Sequence, residues 1–196
     1  EHALFKSIFP GSFLLFKPRD IVSGDFYWWA KINNDFIVVV ADCTGHGVPG
    51  AFMSMLGITF LREIILKEQV LEPAEILNKL RTEIIQILKQ RQKPGEQRDG
   101  MDMSLIKYNL TSKELFFAGA HHSLLINNGS DIDEIKGDRL PIAIYPKMKP
   151  FTTQQINYKP GDRIYMFSDG FQDQFGETKN TKIKKSGFIN LIKLYT

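Results

Sequence analysis

An α+β fold built on antiparallel sheets is what this 196-residue sequence predicts. Three observations carry that expectation. Strand-like stretches come first, two helix-like stretches follow, and a run of short strands closes the order, unlike the β-α alternation of parallel sheets. A hairpin signal stands near the start: aromatic-rich Asp25-Phe-Tyr-Trp-Trp-Ala-Lys-Ile32, a turn at Asn33-Asn34 that tolerates positive φ, and β-branched Asp35-Phe-Ile-Val-Val-Val-Ala-Asp42. The later strands are joined by short turn signals, Asn128-Gly129 and Pro160-Gly161 among them.

The elements follow in order. Residues 12–17 read as a first strand, and the hairpin comes next. If Ile32 pairs with Asp35, paired positions sum to a constant, and Asp25 falls directly across from Asp42. Residues 49–67 read as a helix, with proline in its first turn and Phe52, Leu56, Phe60 and Ile64 recurring every four residues as its core stripe. A second helix starts at Pro73 and carries Ile76, Leu80, Ile84, Ile87 and Leu88 on one side. Residues 90–98, with Pro94-Gly95, read as a loop. Strands are then expected over 101–109, 114–120, 123–127 and 162–168, with Thr111-Ser112-Lys113 turning between the first two. The Trp28–Trp29 pair reads as core.

Composition narrows the function classes. The length suits one domain with a real hydrophobic core. A net charge of +3 is too small to argue for nucleic acid or an anionic membrane surface as partner. One cysteine, Cys43, excludes an internal disulfide framework and suits a reducing, cytoplasmic setting. No apolar run is expected to be long enough to span a membrane, and no signal peptide opens the chain.

Three acidic positions stand at predicted strand ends: Asp25, Asp42, and Asp169, which is followed by Gly170. Directly opposed strand residues have Cβ atoms about 4.5–5.5 Å apart, and like charges there are destabilising. Such a pair persists when a cation lies between the carboxylates or when they share a proton; the alternative is two solvated strand-end aspartates. Magnesium and manganese prefer such oxygen ligands. Two ions about 3.5–4 Å apart would activate a bridging water and clamp a phosphoryl group.

The segment Ala41-Asp-Cys-Thr-Gly-His-Gly-Val-Pro-Gly50 lacks the lysine of a P-loop and the glycine order of a dinucleotide fold. Taken with Val22-Ser-Gly-Asp-Phe-Tyr27, Asp99-Gly-Met-Asp-Met-Ser104, Ala118-Gly-Ala-His-His122 and Pro160-Gly-Asp-Arg-Ile-Tyr-Met-Phe-Ser-Asp-Gly170, it resembles the type 2C metal-dependent serine/threonine protein phosphatases. The match is to their bacterial RsbU/SpoIIE-type branch, with the five stretches in family order over nearly the whole chain.

That resemblance implies a sandwich of two antiparallel sheets flanked by helices. It implies two manganese or magnesium ions held by Asp25, Asp42 and Asp169, with Asp42 bridging and the Cys43 carbonyl as a backbone ligand. Asp99 lies where some relatives hold a third ion, and Asp102 competes for that role. His46 is the candidate general acid, and the alternative is a loop-fixing hydrogen bond. The implied reaction is hydrolysis of phosphoserine or phosphothreonine by a metal-bound hydroxide. The implied substrate is a small regulator such as an anti-sigma-factor antagonist. Residues 1–10 read as the remnant of a linker to a sensor or coiled coil, a route to a homodimer. Residues 11–196 read as a phosphatase domain truncated before the family's last acidic metal ligand.

Other features have plainer readings. His121 and His122 lack the spacing of a zinc site and read as strand-terminating residues. Arg19 reads as a surface residue, with a greeting to substrate phosphate as the alternative. Lys179–Lys185 reads as a solvated loop, with an acidic partner surface as the alternative. A catalytically silent module that docks a regulatory partner is the second functional class; the retained acids oppose it. A zinc or Ser-His hydrolase fails for want of ligands or a nucleophile elbow.

Overall fold

The computed structural model describes residues 2–91, 98–175 and 181–195. The chain runs α1 (His2–Ile8), β1 (Phe26–Ile32), β2 (Asp35–Cys43), α2 (Gly47–Arg62), α3 (Pro73–Ile87), β3 (Met101–Asn109), β4 (Leu115–Ala120), β5 (Leu124–Asn127), β6 (Ile132–Ile135), β7 (Gln154–Ile156), β8 (Arg163–Tyr165) and α4 (Lys184–Tyr195). A π-helical turn, Glu63–Lys67, extends α2. Two antiparallel sheets result, one ordered β1-β2-β3-β4-β7 and the other β6-β5-β8.

The hairpin has the predicted register. Ile32 pairs with Asp35 and Phe26 with Ala41, around a turn whose Asn33 takes φ 54°. Alternation then splits β2 between two cores. Ile37, Val39 and Ala41 face α2 and α3, in a core with Leu61, Ile64, Ile65, Leu77, Leu80 and Leu105. Phe36 and Val38 face the second sheet, in a core with Phe117, Leu124 and Ile126. The larger sheet is thus covered by helices on one face and by the smaller sheet on the other. Trp28 packs at the first core and Trp29 at the second, both partly buried. In α1, Phe5 and Phe9 join the inter-sheet core, Phe5 with its ring centroid 4.9 Å from that of Trp29.

Several expectations need correction. Residues 12–17 form no strand; Phe13, Leu14, Leu15 and Phe16 are exposed. In α2 the inward residues are Gly50, Met53, Ser54, Gly57 and Leu61, while Phe52 is 63% exposed. Ile87 at the end of α3 is exposed as well. Arg163–Tyr165 is shorter than the strand expected over 162–168, so Asp169 sits in a turn beyond it, closed by Asp173 N–H on the Asp169 carbonyl at 2.9 Å. Gly47–Lys67 is long and apolar enough to cross a membrane by length and composition, contrary to expectation. Its Met53, Leu61, Ile64 and Ile65 lie in the helix–sheet core. Of the expected loop 90–98, residues 92–97 lie outside the described residues.

The lysine-rich stretch, whose first two residues lie outside the described ones, is not a bare loop. Lys182 pairs with Asp173 at 2.5 Å, and Lys185 in α4 pairs with Glu134 of β6 at 2.6 Å. Partial burial raises the Glu134 pKa, but hydrogen bonds from Lys185 and Ser123 outweigh it and hold the carboxyl below its ordinary 4.5. A depressed carboxylate stabilises the fold above its unfolded value and loses that contribution as pH falls through the folded value. Lys185→Met is therefore expected to lower the melting temperature by about 1–3 °C at pH 7, and by progressively less at an acid pH below the depressed folded value, where the carboxyl is protonated in both states. Calorimetric melts at the two pH values check it.

Candidate metal centre

Three segments bring the acids together. Asp25 precedes β1, Asp42 lies near the end of β2, and Asp169 stands in the turn after β8. Asp42 is half-buried and in hydrogen-bonding contact with both Asp25 and Asp169. Burial, and then the charges of Asp25 and Asp169, push its pKa from 3.8 up to about 8. Ser168 Oγ donates to Asp25 Oδ2 at 2.5 Å, tying the third segment to the first.

The loop that follows β2 is anchored on both sides. Thr44 N–H donates to the Gly100 carbonyl at 2.9 Å, and Gly100 N–H donates to Thr44 Oγ1 at 3.1 Å. Gly24, Gly45 and Gly50 cross in backbone contact: a Cβ on Gly24 would sit 2.8 Å from the Gly45 carbonyl oxygen. Only glycines allow this approach, which sets the residue before Asp25 against the loop after Cys43. A cavity of about 190 Å³ opens here, lined by Asp42, Cys43, Thr44, Arg98, Asp102 and Asp169 among others.

The donor set is chemically that of a hard divalent cation: carboxylate and carbonyl oxygens, with like charges crowded around a half-buried member. Among the described residues no three His, Cys, Asp or Glu side chains enclose a common point as a finished ligand cage. Crowding that drives Asp42 toward its neutral form is what such acids show without a countercharge. Burial, with the charges of Asp42 and Asp25, likewise pushes the Cys43 thiol up, which keeps it neutral and leaves its carbonyl as the usable donor.

The other sequence-predicted residues divide. Asp102 pairs with Asp42 across β2–β3 and lines the cavity. Asp99 does not line it; its carbonyl accepts from the Gln90 amide. The His46 side chain is 74% exposed, 3.9 Å from Asp20 Oδ2, and does not line the cavity. His121 approaches Asp102, with Nδ1 2.9 Å from Oδ1, a link that sequence spacing did not signal. Burial lowers the His122 pKa, and its Nδ1 lies buried with no hydrogen-bond partner among the described residues.

Comparison with known proteins agrees with this architecture. The family model described as Stage II sporulation protein E (SpoIIE) matches residues 33–194. The SiaA-PP2C domain of Pseudomonas aeruginosa is 31% identical with TM-score 0.80, over 92% of this chain and 70% of that one. The RsbU and RsbW domains of a Mycobacterium tuberculosis protein are 20% identical with TM-score 0.68, over 90% of this chain and 46% of that one. The phosphatase domain of SpoIIE from Bacillus subtilis, solved with a fragment of its regulatory domain, is 19% identical with TM-score 0.67, over 89% and 47%. The chain thus spans about half the length of the last two. A comparison with curated protein sequences returns no match.

Proposed function

Since the chain belongs to the SpoIIE family of PP2C-type, metal-dependent protein phosphatases, we propose that it removes phosphate from phosphoserine or phosphothreonine of a small regulatory protein. The observation that carries the reading is the convergence of Asp25, Asp42 and Asp169 from three separate segments: Asp42 touches both other acids, and Asp42 and Asp169 line the cavity beside which Asp25 stands.

In this reading Asp25, Asp42, Asp169 and the Cys43 carbonyl hold manganese or magnesium. Bound cations of this kind activate water and neutralise phosphoryl oxygens. The chain's own residues supply the rest. Asp42, in contact with both other acids, would be the ligand best placed to serve more than one cation, and Ser168 orients Asp25 by engaging one of its oxygens. Arg98, the cavity's cationic residue among those described, suits a phosphate oxygen. Asp99 as ligand for a looser third ion, and cytoplasmic action under a linked sensor or coiled coil, complete the proposal. The RsbU–RsbW and SpoIIE neighbours support a regulatory phosphoprotein as substrate. The charge cluster, costly to keep without a cation, weighs against a silent docking module.

The test is manganese-dependent release of phosphate from p-nitrophenyl phosphate and from phosphoserine peptides. Turnover that requires manganese and disappears with chelator is expected; absence of both turnover and manganese binding would sink the reading. In the same assay His46→Gln is expected to slow turnover by less than about tenfold, because the ring stands in solvent beside Asp20. A loss of about 100-fold or more would restore His46 as the general acid.

A further inference from the structure

We propose that His121 is a positioning residue for this centre: it holds Asp102 aimed into the cavity that Asp42 and Asp169 share. The proposal rests on the phosphatase reading above. Asp42 and Asp102 are register partners across β2–β3, and directly opposed residues send their side chains to the same face. Both line the cavity, whereas His121 does not, so His121 acts through Asp102.

His121 is built to hold still. Its Nδ1 lies 2.9 Å from Asp102 Oδ1, with both side chains 37% exposed. Its backbone takes φ 55°, the left-handed region that a side chain other than glycine enters at a cost. That conformation is clamped from both sides. His121 N–H donates to the Asp138 carbonyl at 2.8 Å, and Asp138 N–H donates to the Gly119 carbonyl at 2.8 Å. A Cβ on Gly119 would stand 2.3 Å from the His122 carbonyl oxygen, and one on Gly137 would stand 2.4 Å from it. The loop is closed by contacts that leave no room to relax. Tyr145 meets the imidazole edge-on, ring centroids 6.5 Å apart. With Asp102 ionised, the ring proton belongs on Nδ1, which engages one carboxylate oxygen and leaves the other for the cavity. A strained residue whose side chain reaches a cavity carboxylate is the arrangement expected of a preorganised site.

Two variants separate positioning from folding. His121→Gly relieves the left-handed backbone and removes the donor. His121→Asn keeps both a tolerated positive φ and an amide donor near the Nδ1 place. His121→Gly is expected to weaken manganese binding about tenfold in calorimetry and to lower kcat on p-nitrophenyl phosphate about 10–100-fold, with KM little changed. His121→Asn should return both to within about threefold, and His121→Gly with Asp102→Ala should be no worse than Asp102→Ala alone. Nitrogen-15 NMR of the metal-free protein should find His121 protonated at Nδ1, and at Nε2 in Asp102→Ala. Wild-type binding and turnover in His121→Gly, or additive losses in the double variant, overturn this proposal alone. A wild-type protein that neither binds manganese nor hydrolyses the ester overturns the phosphatase reading and this proposal with it.

Discussion

Asp42→Asn is expected to abolish manganese binding and to cut phosphoester hydrolysis by more than about 100-fold, the loss that outer-sphere partners of a metal can cause by themselves. It should also make the metal-free protein more stable. Asp42 has an ordinary pKa of 3.8 and is pushed up to about 8 in the fold, first by burial and then by Asp25 and Asp169. A carboxyl raised in the folded state costs stability as pH climbs from its unfolded value toward its folded one. Near pH 7 the upper bound of that cost is about 4 kcal/mol, and solvent screening of this half-buried carboxyl, together with its coupling to the other acids, brings it to about 2 kcal/mol. Asparagine carries no charge to desolvate, so a rise in melting temperature of about 4–8 °C follows. Thermal melts without metal, paired with calorimetric titration, check both halves. Unchanged manganese binding removes Asp42 from the centre, and a lower melting temperature shows that the three acids do not repel one another.

Gly50→Ala should damage the fold, although alanine is favoured over glycine inside a helix by about 1 kcal/mol. A Cβ at this position in α2 would lie 2.6 Å from the Gly45 carbonyl oxygen and 3.0 Å from Gly24 Cα. Both are backbone atoms, so no side chain can swing aside. Relief requires α2 to move from the hairpin, against the contacts of Met53 and Leu61 in the helix–sheet core. A loss of about 3 kcal/mol is expected, equivalent to about 6–12 °C in melting temperature. Gly11→Ala, where a Cβ would meet nothing within 4 Å, is the neutral comparison. Equal melting temperatures for the two variants would mean that the three-glycine crossing yields at little cost.

What could be read without coordinates followed from range. The Asp25–Asp42 approach is local: the ladder ends one position short, at Phe26–Ala41, and extending the register set by the two-residue turn brings the two acids into contact. Asp169 is far along the chain, and its arrival beside Asp42 needed the assembled fold. The α2 stripe failed for a geometric reason. Positions spaced by four advance about 40° beyond a full turn at each step, so Phe52, Leu56, Phe60 and Ile64 wind around the helix from solvent to core. Residues 12–17 had strand-like composition and no strand to pair with, and pairing is what decides. Strands β6 and β7 are so short that partners, not periodicity, define them. Asp102 was visible as a competitor to Asp99, but its contact with His121 crosses from β3 to the loop after β4.

The β1–β2 hairpin sets the spacing of the proposed ligands from a distance. From the Asn33–Asn34 turn to Asp25 is about eight residues, or roughly 26 Å of strand, so the separation of the two proposed ligands is decided at the far end of the hairpin. One residue inserted in that turn and passed along the pairing would send the whole of β1 to its opposite face, its aromatics with it. Length changes at the tip can persist through descent only if a bulge absorbs them before Phe26. This otherwise exposed turn is then predicted to vary freely in composition among descendants while holding its length.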